Sequence, residues 1–234
     1  MRKHIAVIDC AITAPSARSY NKLQSHFKDY FFSYHHAPLA GLETLAVDDL
    51  LSAPDGYIIF GSHSDVYLKL DWHAKIVEFI KPKIAQGLPV LGICFGHQLM
   101  ADAYGLTVDR VPQENYVHGS SVVTLLKNFG HLKTGATFRT GYANNFEVKN
   151  LNDQFIHLGR SNVCEYNVIA LKNSKYVGIQ SHPEAARDFF MLETPLDENS
   201  ELVTKTMQEG YGFLEAFFEF FKTKKINLNN DAAL

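Results

Sequence analysis

Short runs of almost unbroken apolar, often β-branched character recur along the chain, separated by turn residues. They are His4–Cys10, Gly56–Phe60 (introduced by Pro54-Asp55-Gly56), Leu88–Ile93, Tyr166–Leu171 and Tyr176–Gln180. Alternation would mark a strand with one wet face, whereas a continuous apolar run marks a strand covered on both. Segments of helical spacing lie between them. Asp71–Gln86 carries Trp72, Ile76, Phe79 and Ile80 and stops near Gly87, and His97–Tyr104 follows a strand directly and ends at Gly105. Glycine just past the last helical residue is a natural C-terminal cap. Strand then helix, repeated, predicts an α/β fold with a largely parallel central sheet.

The pattern changes between Val108 and Leu158. Ser120–Leu126 and Asn145–Val148 read as shorter strands joined by Gly and Asn turns, so a small antiparallel extension or edge hairpin is expected there. No linker-like stretch, internal repeat or low-complexity segment interrupts the chain, which predicts one domain. Ser200–Lys225 reads as a final helix crowded with Phe213, Leu214, Phe217, Phe218, Phe220 and Phe221. Packing on the sheet is the expectation for this face, and the alternative is docking of a second protein chain. Asn227–Leu234 is expected to fray.

With 46% hydrophobic and 20% charged residues in 234, the chain has the make-up of a globular protein with a sizeable core, which excludes disorder, collagen-like repeats and coiled coil. A net charge of -3 offers nothing to a polyanion, so no nucleic-acid partner is expected. No stretch approaches the ~20 apolar residues of a membrane span, and Asp9 interrupts the N-terminal run too early for a signal peptide. Cys10, Cys94 and Cys164 make an odd number, which argues against a disulfide framework and for a reducing cytoplasm.

The richest segment is Leu91-Gly92-Ile93-Cys94-Phe95-Gly96-His97-Gln98. A buried strand ends, a cysteine occupies the turn, and a helix starts at once. G-x-C-x-G is the thiol counterpart of the G-x-S-x-G nucleophile elbow, with glycines where backbone must pack tightly. A helix N-terminus favours a thiolate through its macrodipole and free N–H groups. The competing reading of Cys94 is a small apolar residue at the end of a core strand.

A thiol nucleophile needs a base, and the base an orienting group. Most of the eleven histidines, among them His35, His36, His131 and His157, stand in no constellation. His182 closes the run Tyr176–Gln180 and is followed by Pro183-Glu184. Residues two apart in an extended chain point the same way, so the Glu184 carboxylate can orient the His182 ring. Cys94 and His182 both fall at the C-terminal ends of predicted parallel strands, the edge where open α/β sheets place their sites. No HExxH or CxxC spacing is present, and neither a metal nor a cofactor is expected.

GICFGHQLM followed much later by GIQSHPE resembles the class I glutamine amidotransferases, in particular the stand-alone branch related to the amidotransferase domain of GMP synthetase. The resemblance spans nearly the whole chain, beginning at IAVIDC and including IIFGSHSDVY. It implies a three-layer αβα, flavodoxin-like domain over residues 1–225 with a flexible tail over 226–234. It also implies Cys94 as nucleophile, His182 as general base and acid, and Glu184 as orienting carboxylate. Gly61 and Ser62 fall where the family has an oxyanion turn, with the N–H of Phe95 as the second donor. Gln98 matches a glutamine that helps bind substrate, and Asn144 falls at the substrate-side wall. The implied reaction is hydrolysis of glutamine's γ-carboxamide through a γ-glutamyl thioester, with ammonia passed to a partner synthase.

Three departures accompany the resemblance. Ser62 and His63 replace the family's second glycine and following proline. Ala143-Asn144-Asn145-Phe146 stands where relatives carry a Ser-His-Gly-Asp-like motif, so Asn144 replaces a histidine. No attached synthase domain is expected after the last helix. The alternatives are therefore a glutaminase serving a partner and a stand-alone γ-glutamyl hydrolase or peptidase. A non-catalytic relative is disfavoured by the complete triad.

Overall fold

In the computed structural model, which describes residues 2–112 and 116–221, the first apolar run forms strand β1 (Lys3–Asp9). Its side chains divide between two cores: Ile5 and Val7 enter one and Ala6 and Ile8 the other. That division makes this a three-layer structure. The remaining strands are β2 (Tyr30–His36), β3 (Gly56–Ile59), β4 (Val90–Ile93), β5 (Val108–Arg110) and β6 (Val117–Leu125). They are followed by β7 (Thr137–Asn144), β8 (Phe146–Val148), β9 (Phe155–Ser161), β10 (Val168–Leu171) and β11 (Tyr176–Ile179). The helices are α1 (Ala17–His26), α2 (Ala37–Ala40), α3 (Glu43–Ser52), α4 (Asp71–Ala85), α5 (Phe95–Ala103), α6 (Arg187–Glu193) and α7 (Glu201–Phe218).

Nine strands form one sheet in the order β2-β1-β3-β4-β11-β10-β9-β6-β7. From β2 to β11 neighbours are parallel. From β11 to β7 they are antiparallel. The expected antiparallel extension is thus as large as the parallel half, and the sheet is mixed. Its strands escape an aliphatic-run criterion because they alternate: β6 buries every second side chain from Gly119 to Leu125. Asn145–Val148 contributes β8, which pairs with β5 in a separate two-stranded ribbon.

Helices α1 and α7 cover one face, where Leu23, Phe213, Leu214 and Phe217 pack on Val7, Ile58, Leu91 and Val177. Helices α3, α4 and α5 cover the other, with Leu45, Ile80, Ile84 and Leu99 among the residues of that core. Phe213, Leu214, Phe217, Phe218 and Phe221 are interior, with Phe213 and Phe217 at 0% exposure, so for these residues the packing role holds and the docking alternative does not. Helix α7 starts at Ser200, whose side chain accepts a bond from the Val203 N–H. It ends at Phe218 with a 3-10 turn over Glu219–Phe221, and both the rest of the expected helix and the tail over 226–234 lie outside the described residues. Helices α4 and α5 run into Gly87 and Gly105, each with φ near 80°, in line with their expected caps.

The parallel strands deliver their C-terminal ends to one edge, and β1 prepares that edge with Asp9. Fully buried, its carboxylate accepts bonds from the Ala11 and Ser16 N–H groups at 3.0 and 2.6 Å and from the Tyr34 hydroxyl. The loop between them is thereby pinned beside the ends of β3 and β4.

Candidate active site

Strand β4 brings the chain to Cys94 and α5 leaves from Phe95. At the turn Cys94 takes φ 48° and ψ -103°, a left-handed conformation that side-chain-bearing residues seldom adopt and that marks functional turns. The flanking glycines are sterically required. A Cβ on Gly92 would lie 2.7 Å from the Gly96 carbonyl oxygen, and one on Gly96 would lie 2.5 Å from that of Ile59. The Cys94 N–H is tied to the Ile179 carbonyl at 2.8 Å, which fixes the elbow against β11.

His182 reaches the same edge from β11 and is anchored across to β7, its N–H donating to the Gly141 carbonyl at 2.8 Å. Its Nδ1 lies 2.9 Å from Glu184 Oε1, and both side chains are buried. The expected pair forms, but a turn at Pro183-Glu184 brings the two side chains together where an extended chain was expected. Burial opposes charge on His182, but the Glu184 carboxylate and the Cys94 sulfur outweigh it and push the imidazole up to about 10. With Nδ1 engaged by Glu184, Nε2 is the ring nitrogen left to face the Cys94 sulfur. A Cβ on Gly61 would come within 2.9 Å of His182 Cε1 and 3.5 Å of Cys94 Cβ, so glycine there admits the ring to the thiol.

Cys94, His182 and Glu184 line a cavity of about 220 Å³ together with Gly61, Ser62 and Ala143. That is below the roughly 300–1,000 Å³ of drug-sized sites and suits one small substrate. Its outer wall comes from the pinned loop, including Thr13 and Ser16, and from α6. A wider depression of about 710 Å³ beside β6 and β9, lined by Arg139 and Arg160, has no cysteine or histidine among its described residues. Among the described residues no three His, Cys, Asp or Glu side chains are grouped to hold a metal.

Gln98 and Asn144, expected to touch substrate, are not among the residues that line the cavity. Asn144 is buried and donates to the Phe146 carbonyl at 3.0 Å, while its neighbour Ala143 faces the cavity. Strand alternation explains this, since adjacent side chains of β7 point to opposite faces. Gln98, also buried, donates to the same carbonyl at 2.7 Å and to Gln180 Oε1 at 3.1 Å. Gln180 in turn directs its Nε2 to the Cys94 sulfur at 3.6 Å. Gln98 and Asn144 are thus joined to each other behind the site. Gln180 is the residue that sequence reasoning passed over, although it lies two positions before His182 in GIQSHPE.

A strained thiol at a strand–helix elbow and a buried His–Glu pair on the next parallel strand define a cysteine-dependent amide-hydrolase site on an α/β fold. The chain matches the family described as Glutamine amidotransferase class-I over residues 7–190, and it belongs to that family. It is 33% identical over 142 residues to the glutamine-hydrolyzing GMP synthase component of Methanothermobacter thermautotrophicus, covering 60% of this chain and 72% of that protein. Gamma-glutamyl peptidase 4 of Arabidopsis thaliana is 32% identical over 139 residues, 57% of this chain and 55% of that one. The crystal structure of a glutamine amidotransferase from Thermotoga maritima shares the fold, with a TM-score of 0.74 at 17% identity over 95% of this chain and 100% of its own.

Proposed function

We propose that the chain hydrolyses the γ-carboxamide of glutamine at Cys94 and delivers the ammonia to a separate synthase in the cytoplasm. The observation that carries this reading is the elbow cysteine facing an imidazole held by Glu184, inside a cavity sized for one amino acid. The Cys94 sulfur attacks the γ-carbonyl carbon, and the N–H groups of Phe95 and of the Gly61-Ser62 turn receive the developing oxyanion. The carbon–nitrogen bond breaks as His182 gives its Nε2 proton to the departing nitrogen, leaving a γ-glutamyl thioester. His182 then takes a proton from water, whose oxygen attacks the thioester. Glutamate leaves and the thiolate returns. Gln98 and Asn144 act from behind, by bracing the Phe146 carbonyl and Gln180.

A synthase partner is supported by apolar side chains exposed on the segments that carry the site: Ile12, Tyr67, Leu68, Met191 and Leu192. A synthase seated there would keep ammonia from water. The cytoplasmic assignment rests on three free, buried cysteines, and no described helix is long and apolar enough to cross a membrane. A second reading, hydrolysis of γ-glutamyl amides of larger amines, is favoured by the small Ala143 side chain on the cavity wall and by the similarity to the Arabidopsis peptidase.

Steady-state release of ammonia from glutamine, compared with amine release from γ-glutamyl peptides, separates the two. Glutamine is expected to have the higher kcat/KM, and the reverse order would establish the second reading. Cys94→Ser should lower turnover of either substrate by more than about 10³-fold with the fold intact. Full activity in that variant would remove Cys94 as nucleophile.

A further inference from the structure

We propose that Glu193 and His63 form the subsite that reads the α-amino acid head of the substrate. The proposal rests on the reading of Cys94 as the nucleophile toward a γ-carboxamide. Both residues line the cavity that contains Cys94, Glu193 from the end of α6 and His63 from the turn after Gly61-Ser62. His63 Nε2 and Glu193 Oε2 are 3.1 Å apart. Neither is sequestered, with side-chain exposures of 57% and 26%.

The electrostatics of the wall single out this pair. No lysine or arginine is among the cavity-lining residues described. Of its three carboxylates, Glu184 is committed to His182 and Asp188 faces Arg18 at 4.0 Å. Asp188 keeps a buried Oδ1 without a partner, but Glu193 is the carboxylate of this wall with a side-chain donor other than His182 at hydrogen-bond distance, at His63. Its Oε2 also lies 3.4 Å from the Tyr116 hydroxyl, which orients the carboxylate. Burial, then the charges of Glu193 and Cys94, raise the Tyr116 phenol, so it stays a neutral donor and lies within electrostatic reach of both groups.

An α-amino acid carries its ammonium and carboxylate on one carbon. A protein can meet both with side chains only where an acceptor and a donor are neighbours, and the 3.1 Å His63–Glu193 contact supplies that arrangement. On binding, the substrate's ammonium takes Glu193 and its carboxylate takes the His63 N–H. The resting His63–Glu193 contact is exchanged for one contact from each residue to the substrate head, and the γ-carboxamide is left to extend toward Cys94. Both glutamine and γ-glutamyl peptides present this head, so the subsite selects the γ-glutamyl group while the far side of the cavity selects the leaving amine.

The test compares glutamine with glutaramate, the same amide without the α-amino group, in the parent and in Glu193→Gln. A hydrogen bond to a charged group corresponds to about ten- to a hundredfold in affinity. The variant should raise KM for glutamine by that factor, with kcat little changed and glutaramate unaffected. His63→Leu should instead erase discrimination against glutamine methyl ester. Iodoacetamide, which has no head, should alkylate Cys94 at the parental rate in both variants. Equal loss on glutamine and glutaramate, or no loss, overturns the subsite. If the parent turns over no amide, the hydrolase reading fails separately, and calorimetry of glutamate against glutarate on Cys94→Ser still decides. A preference for glutamate that Glu193→Gln abolishes supports the subsite, and equal binding overturns it.

Discussion

Replacing Gln180 with leucine isolates what the side chain behind the nucleophile does. Gln180 is 1% exposed, and leucine is close to it in volume, so the change removes polarity with little cavity. Two losses follow. The sulfur loses the Nε2 donor at 3.6 Å, and a hydrogen bond to a charged acceptor contributes about 1.5–3 kcal/mol. That corresponds to about 10- to 150-fold in the balance of thiolate over thiol, or about one to two pH units. Gln98 loses the acceptor at 3.1 Å but keeps the Phe146 carbonyl at 2.7 Å, so one buried N–H is orphaned, at a cost of about 1–3 kcal/mol in stability. The assay is the rate of iodoacetamide alkylation against pH, mapped to Cys94 by peptide mass. Cys10 and Cys164 serve as internal controls because burial raises both thiols. The alkylation midpoint should rise by about one unit or more, and the urea midpoint should fall. Gln98→Leu should lower stability while leaving the alkylation profile in place, since Gln180 still faces the sulfur. A destabilised Gln180→Leu protein with the parental profile would refute the reasoning and make Gln180 a packing residue.

The triad separates under the same assay. His182→Ala should cost several orders of magnitude in turnover, with acid–base work alone worth ~10²–10⁴-fold, whereas Glu184→Gln should cost less and shift Cys94 alkylation to higher pH. Unchanged turnover and alkylation in Glu184→Gln would leave a Cys–His dyad. Stability should also depend on pH through His97, which is fully buried and whose ring burial pushes down to about 3. Its folded value is depressed, so its contribution is complete above the ordinary imidazole value near 6.5 and is lost as pH falls toward 3. Urea unfolding at pH 7 and pH 5 should differ by about 2 kcal/mol more in the parent than in His97→Leu. Equal differences would show that the ring is not held neutral.

The parallel half was readable because both its faces are covered: Ile5–Ile8, Ile58–Ile59 and Val177–Ile179 leave a continuous apolar trace. The elbow was readable because its glycines and cysteine answer a steric demand local to the turn. The antiparallel half was underestimated because its strands alternate with Ser, Thr, Arg and Asn, and β2 escaped because its apolar residues are aromatic and mixed with histidines. Asn144 and Gln98 show a different limit. A residue's distance from Cys94 along the chain does not reveal which side of a strand or helix it faces, and what captures both amides is the backbone carbonyl of Phe146, which no side-chain motif discloses.

The seam of the mixed sheet has a consequence for the life of the chain. Cys94 meets Gln180 across 86 residues of sequence, and His182 is secured to the Gly141 carbonyl only after β7 has joined from the far edge. Contacts of such separation form late in folding, after long loops have closed. A partly synthesised chain therefore carries Cys94 without its imidazole, its Gln180 donor or the wall of its cavity. The site is thus assembled with completion of the sheet, and an unfinished chain lacks the parts that hydrolysis at Cys94 needs.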